Sequence, residues 1–289
     1  MSLTDPVTTR VARRGRAGPE RAPPDDSPRV PAVDRAVRLI DTLAGSHEPL
    51  GLAELARRLA LPKSSLHGLL ATLVSHGLAR RNESGEFSLG TRPLQWADAY
   101  VAQSDILRAF DANARRIDVL TAETVMLAVL EGPEVLYLAC RPGTRPLAVN
   151  FRVGGRFPAA FTSSGKAMMS TLSEEAVREL LGRQPFVRPT RHSVDSPVAL
   201  LRQLALARRH GHATDDEETA EGMQCFGAPV FGPRGPQAIA AVAVSVIKAG
   251  LTPHRRQELV SAVRQLAGQL SDALGAPPAR ADASAARAA

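Results

Sequence analysis

Leu61–Leu78 reads LPKSSLHGLLATLVSHGL. Leu66, Leu69, Leu70, Leu73 and Val74 recur at the i, i+3, i+4, i+7, i+8 spacing of one buried helical stripe. The opposite face holds Ser64, Gly68, Ala71 and Ser75, flanked by Ser65, His67 and Thr72. These side chains are small or polar, so the helix can lie close against another surface. Pro62 suits the first turn, where a missing N–H costs nothing. Ser64 and Ser65 set hydroxyls beside the free N–H groups of that turn, a seat for a phosphate. Gly77 is placed to stop the helix. Lysine occurs only at Lys63, Lys166 and Lys248, and one of the three opens this helix. Taken alone, the stretch equally describes a surface helix of a bundle; its neighbours decide.

Before it, Val33, Ala36, Val37, Ile40 and Leu43 line one face of a first helix that Gly45 and Ser46 end. GLAELARRLALP gives a short second helix with Leu52, Leu55, Ala56 and Leu59 on one face and Gly51 as a modest N-cap. The tight break at Leu61–Pro62 makes the second and third helices a helix-turn-helix. After it, LARRNESGEFSLG turns at Ser84–Gly85 between two short strands, with Phe87 and Leu89 toward the core. Three helices and a basic hairpin, over 31–90, form a winged helix-turn-helix. Double-stranded DNA is the partner this predicts, with helix three in the major groove. The DNA-contact candidates are Lys63, Ser64, Ser65, His67, Gly68, Thr72, Arg80 and Arg81. The helix N-terminus and the wing arginines would neutralise phosphates.

Composition agrees without proving the point. The 289 residues suggest two domains, and a net charge of +7 permits a polyanionic partner. Cys140 and Cys225 make neither a disulfide scaffold nor a zinc site, which fits a reducing, cytoplasmic setting. His192, His210 and His212 have no metal-ligand spacing and read as surface, and no cofactor is called for. The longest apolar runs, such as Ala238–Ile247, are too short to span a bilayer, and no secretory leader is visible.

Residues 1–30 read as a disordered Arg-rich tail, in which Arg10, Arg13, Arg14 and Arg16 would add at most non-specific attraction to DNA. Residues 91–120 read as linker helices, with stripes at Leu94, Ala97, Tyr100, Val101 and at Ile106, Phe110, Ala114, Ile117, Leu120. They offer a dimer seam or a cap on the next domain. Residues 121–275 alternate strands and helices as an antiparallel α+β domain. TVMLAVLEGPEVLYLACR is a hairpin around Gly132–Pro133; CFGAPVF and AIAAVAVSVI are two more strands; TPHRRQELVSAVRQLAGQLSDAL is a long closing helix. Pro142–Pro158 reads as a loop, and HATDDEETAEGMQC as an acidic loop. Residues 276–289 read as a disordered tail. FTSSGKAMMSTL opens a helix with Thr162, Ser163 and Ser164 at its N-terminus, where an anion such as a carboxylate is favoured. Helix capping is the plainer use of these hydroxyls. Asp216, Glu217 and Glu218 read as solvated, and Lys166 as a partner for the acidic loop.

LAELARRLALPKSSLHGLLATLVSHGL, GEFSLG, AETVMLAVLEGPEVLYL, the GGR–P–TSSGKA block, DDEETAEGMQCFGAPVF and the closing helix occur in one order. Together, from Val33 to Leu274, they resemble an IclR-type transcriptional regulator. The resemblance implies an N-terminal winged helix-turn-helix, a linker helix and a C-terminal domain like the small-molecule-sensing GAF domains. It implies a dimer or tetramer, and a small organic acid as effector. It places effector contacts on Ser163, Ser164, Asp215, Cys225, Ala243 and Ser245, with Val149 in an apolar wall. Matching Ala243 and Ser245 needs a one-residue insertion near Gly232–Pro236. Gly68 departs from the large polar residue, commonly Arg, that the family has there; the blank lowers affinity, hands specificity to His67 and Thr72, or lets the backbone sit closer, and which residue reads bases stays open.

Three functions follow: a ligand-responsive transcription factor, a DNA-binding protein whose C-terminal domain only oligomerises, or an enzyme with Cys225 as nucleophile and His212 as base. The first is best supported, because apolar neighbours around Cys225 do nothing to activate a thiol.

Overall fold

The computed structural model describes residues 30–144, 151–182 and 186–277. The basic tail expected before residue 30, the tail expected after residue 277 and Val149 lie outside them. The chain divides at Pro93/Leu94 into two compact units.

In the first unit, α1 (Pro31–Ala44), α2 (Leu52–Leu59) and α3 (Lys63–Ser75) enclose a leucine core. Leu39, Leu43, Leu55, Leu59, Leu66, Leu70 and Leu73 are buried. The α1 stripe expected from its valines is out of phase. Leu39 is fully buried, while Val33 and Val37 stay exposed. Ala36, Leu39, Ile40 and Leu43 are the residues that meet the other helices. Val74 of α3 is also exposed rather than buried. Between α2 and α3 stand only residues 60–62, and Ala60 takes the left-handed conformation at φ 53° that lets so short a turn close. Pro62 is the N-cap of α3, one place before the first turn expected for it, and contributes no side-chain cap. Gly77 follows at φ 71°, and the Leu78 N–H donates back to the Leu73 carbonyl at 2.8 Å, which ends α3. Strands β1 (Ala79–Arg81) and β2 (Phe87–Leu89) form the hairpin, and Phe87 exchanges both backbone hydrogen bonds with Leu50 at 2.8 Å.

The second unit is a six-stranded antiparallel sheet with helices on both faces. The strands are β3 (Thr124–Glu131), β4 (Glu134–Arg141), β5 (Arg156–Pro158), β6 (Ala213–Asp216), β7 (Met223–Phe231) and β8 (Ala238–Ile247), ordered β5-β4-β3-β8-β7-β6. Two strands were not expected. β5 lies in what read as a Gly/Pro loop, and β6 in what read as an acidic loop. Both are short edge strands with little apolar content, so periodicity could not expose them. Valines and alanines on both sides of β8 explain its unbroken burial from residue 240 to residue 246.

Before the sheet come α4 (Arg92–Gln103), α5 (Asp105–Ala114) and α6 (Asp118–Thr121). α4 has no buried residue; Leu94, Trp96, Tyr100 and Val101 are exposed. Phe110, Ala114, Ile117 and Leu120, by contrast, join the core that α10 (Pro253–Ala273) makes on one sheet face. The other face is covered by α7 (Ser163–Met169), α8 (Glu174–Leu181) and α9 (Pro197–His210) over a second core that includes Met126, Tyr137, Phe161 and Leu200. Each side chain so buried contributes about 1.5–3 kcal/mol.

Candidate nucleic-acid interface and buried polar site

Two places gather functional side chains, one in each unit. In the first, the outer face of α3 is open. Lys63, Ser64, His67, Gly68, Ala71, Thr72 and Ser75 are exposed and Ser65 is half-buried. Since Pro62 supplies no side-chain acceptor, the N–H groups of the first turn remain available to an anion. Nothing lies within 4 Å of where a side chain would begin at Gly68. The Thr72 hydroxyl donates to the Gly68 carbonyl at 3.0 Å, and the Ser75 hydroxyl to the Thr72 carbonyl at 2.8 Å. Both are folded back on the helix, while Lys63, Ser64 and His67 stay exposed on the same face. On the wing, Arg80 Nε donates to Ser88 Oγ at 2.7 Å, and the Arg81 guanidinium lies 5.7 Å from the Phe87 ring centroid. These contacts orient both arginines without neutralising them. Hydrogen bonds from Asn82 and Ser84 hold the Glu86 carboxyl below its usual range and tie the turn.

In the second unit, strand register builds a polar row. Asp215 pairs with Cys225, Cys225 with Ser245, and Ser245 with Thr124. Direct cross-strand partners share a face, so four strands contribute one side chain each. The next row is small: Ala213, Gly227 and Ala243, then Met126. Every one of these residues is buried. α7 lies directly on the small row. A Cβ at Gly227 would come 2.5 Å from the Ser163 carbonyl oxygen, so no other residue lets the helix approach this closely. Thr162 is the cap of α7, accepting from the Gly165 N–H at 3.1 Å. The two serines expected to share that role are therefore not needed for it. Ser163 and Ser164 are buried against the sheet, and Ser164 Oγ makes no hydrogen bond.

Burial governs the charges here. Desolvation pushes the Asp215 carboxyl up to about 6, although the Thr219 side chain, Lys166 and two backbone N–H groups oppose it. Those N–H groups, of Glu218 and Thr219, donate to Asp215 Oδ1 at 2.8 and 3.2 Å. Burial and the nearby Asp215 push the Cys225 thiol well up, and its Sγ donates to Ser245 Oγ at 3.2 Å. Glu218, expected in solvent, is buried. It pairs with the buried Lys166 of α7, which also donates to the Thr214 carbonyl at 3.0 Å. Gln203 and the Val194 N–H complete the carboxylate's partners at 3.2 and 3.3 Å. Asp216 is exposed as expected, whereas Glu217 is half-buried rather than solvated; both pair with Lys248.

The structure brings Ser163, Ser164, Asp215, Cys225, Ala243 and Ser245 together, and adds Thr124 and Tyr137, which the sequence reading passed over. Thr124 looked like the start of an ordinary strand, and Tyr137 like one more core aromatic. Cys225 and His212 are held apart. Cys225 faces α7, whereas His212 lines a shallow cavity of about 340 Å³ on the α10 side, with Arg256, Val260, Ser261 and Arg264. Burial and the Asp215 charge both keep the Cys225 thiol protonated, which makes it a poor nucleophile.

The sequence profile for "Bacterial transcriptional regulator IclR C-terminal" matches residues 98–272, and that for the "IclR helix-turn-helix domain" matches residues 32–83. The transcriptional repressor IclR of Escherichia coli is 30% identical over 267 residues, covering 91% of this chain and 97% of that protein. The Agobacterium tumefaciens repressor BlcR, a crystal structure, is 38% identical with a TM-score of 0.56, covering 86% of this chain and 98% of that one. An IclR homologue from Microbacterium hydrocarbonoxydans, crystallised with 4-hydroxybenzoate, is 26% identical with a TM-score of 0.71 and covers 84% and 98%. These relatives are regulators rather than enzymes, and both halves of the fold match theirs. An open-faced recognition helix with a basic wing, and a sheet domain with a buried polar row, are thus the two parts of a DNA-binding, effector-responsive transcriptional regulator, and the chain belongs to the IclR family.

Proposed function

We propose that this regulator binds a small carboxylic acid on the polar row and that the acid changes its grip on an operator. The acid would contact Ser163 and Ser164 of α7, Asp215, Cys225 and Ser245 of the row, and the small surface at Ala243. The observation that carries this reading is Ser164 Oγ, buried and without a partner in a site where Ser163, Asp215, Cys225 and Ser245 converge. Orphaned buried polar groups cost stability, so a domain that only oligomerised would gain by replacing this one.

On the DNA side, the exposed face of α3 enters the major groove. Lys63 and the first-turn N–H groups, with Arg80 and Arg81, neutralise phosphates, and His67 reads base edges. Gly68 gives up one contact and lets the backbone sit nearer the duplex. A homo-oligomer with two such heads on a dyad reads a roughly palindromic site in the cytoplasm. The effector acts by preferring one arrangement of the assembly.

A mobility-shift assay on the protein's own upstream region, with and without short acids and 4-hydroxybenzoate, tests this. A Ser163→Leu variant should bind the operator and ignore the acid. A normal response from that variant would move the site elsewhere, and silence to every acid would favour the oligomerisation reading.

A further inference from the structure

The shallow cavity of about 340 Å³ on the α10 side lies across the sheet from α7 and the polar row. Its lining is His212, just before the edge strand β6, with Arg256, Gln257, Val260, Ser261 and Arg264 of α10. Three of these six side chains carry or can take up positive charge, and no carboxylate is among them. Arg256, Val260 and Arg264 follow at intervals of four, so an apolar side chain stands between the two guanidiniums on one stripe of the helix.

Both arginines are held by groups that leave their charge whole. Arg256 Nη2 donates to Gln224 Oε1 at 3.0 Å, and its guanidinium carbon lies 5.9 Å from the Phe226 ring centroid. Arg264 lies against Gly211, where a Cβ would come 3.3 Å from its Nε. Among the described residues neither arginine meets a carboxylate within 4 Å, whereas the adjacent Arg255 has both Glu123 and Glu258. Asp216, which strand register sets across from Gln224, is taken by Lys248. The His212 Nδ1–H donates to the His210 carbonyl at 3.3 Å, which leaves Nε2 as the nitrogen open to a ligand. Burial, then the charges of His210 and Arg264, lower the His212 pKa from its ordinary 6.5, so the positive groups here oppose one another. Gln224 Nε2, on the amide that Arg256 touches, is buried without an acceptor. Donors and positive charge are in surplus on this side of the sheet.

We propose that this cavity is a second ligand site, separate from the polar row, and that it takes a phosphate monoester: the phosphoryl group is drawn to the guanidiniums of Arg256 and Arg264, and the carbon body lies on Val260. A phosphoryl dianion offers the charge and the oxygens to meet two guanidinium forks, where a monocarboxylate offers enough for one. The Ser261 hydroxyl and the Gln257 amide line the same space and can donate to the remaining oxygens. None of this depends on what the polar row binds.

The test is calorimetry on the full chain in phosphate-free buffer, with glycerol 3-phosphate, glycerol and acetate as probes. Glycerol 3-phosphate should bind with a Kd of about 1 mM or tighter, and the other two at least about tenfold more weakly. Arg264→Gln removes no hydrogen bond within the described residues; it should weaken the ester about tenfold or more and leave the melting temperature of the unliganded protein unchanged. Arg256→Gln should weaken the ester to a similar degree. The DNA-reading head also attracts phosphate, so Arg80→Ala is one control and Ser163→Leu, in the polar site, the other; both should bind the ester as the wild type does. No binding at about 10 mM ester, acetate binding as well as the ester, or binding that survives either arginine variant would overturn the proposal. Loss of ester binding in Arg80→Ala or in Ser163→Leu would overturn it too, by moving the ester to the head or to the polar row.

Discussion

Asp215→Asn should stabilise the protein above pH 7 and cost about 1 kcal/mol in strong acid. In the folded chain the carboxyl titrates at about 6 because burial penalises its charge; its unperturbed value is 3.8. Between those values the unfolded chain has given up the proton that the folded chain keeps. Stability from this group is thus whole below pH 3.8 and is lost as pH rises through about 6. At 1.36 kcal/mol per unit, the loss reaches about 3 kcal/mol above pH 7, with about half of it present by pH 5. An Asn side chain carries no charge to bury and keeps an oxygen to accept from the Glu218 and Thr219 N–H groups. Its own amide must be desolvated, which takes back about 1 kcal/mol. The net gain is then about 2 kcal/mol, or roughly 4–8 °C in melting temperature for a domain of this size. Calorimetry at pH 5, 6.5 and 8 measures it on the wild type and the variant. A gain that did not grow with pH, or none at pH 8, would refute the claim that a buried ionised Asp215 strains the fold.

The same carboxyl should couple effector binding to protons: a carboxylate ligand disfavours the charge on Asp215, so wild-type affinity rises as pH falls toward 6, and titrations of Asp215→Asn should lose that slope. Arg80→Ala and Arg81→Ala should weaken binding to every duplex and reduce the log–log salt slope by about one each, measured by fluorescence anisotropy at several salt concentrations. Gly68→Arg, at a position open to solvent, should add about 0.5–1 kcal/mol to the stability of the first unit and raise affinity for any DNA, read by urea unfolding and the same anisotropy series. Lys166→Met strands the buried Glu218 carboxylate and should cost about 3–5 kcal/mol, whereas Lys166→Met with Glu218→Gln should recover much of that in chemical denaturation.

The strongly periodic parts of the chain were legible in advance. The helix-turn-helix, its wing, the β3–β4 hairpin and the closing helix all announce themselves through apolar spacing and glycine punctuation. Phase was less secure: in α1, valines and leucines alternate closely enough that apolarity alone selects the wrong stripe, and only packing against α2 and α3 picks Leu39. The polar row is a non-local object. Asp215, Cys225, Ser245 and Thr124 lie far apart in sequence, and only cross-strand register makes them neighbours. Family resemblance located three of the four, but no local pattern could name Thr124 or Tyr137. Glu218 was misread because four consecutive acids look solvated, and nothing local says that the last of them turns inward to meet a lysine fifty-two residues earlier.

The central strands face two chambers. In β3, Met126 looks toward α7 while Val125 and Leu127 look toward α5 and α10, and β8 alternates in the same way. The sheet is a shared partition, one peptide unit thick. Whatever lodges on one side and nudges a strand must also shift its other side, because a rigid plate cannot be pushed from the front and stay still behind. α5 leans on that far side, and along the chain it is the next helix after α4, which follows the DNA-reading head. A push on the α7 face of the sheet would therefore be felt at α5 and α10, which pack against the opposite face.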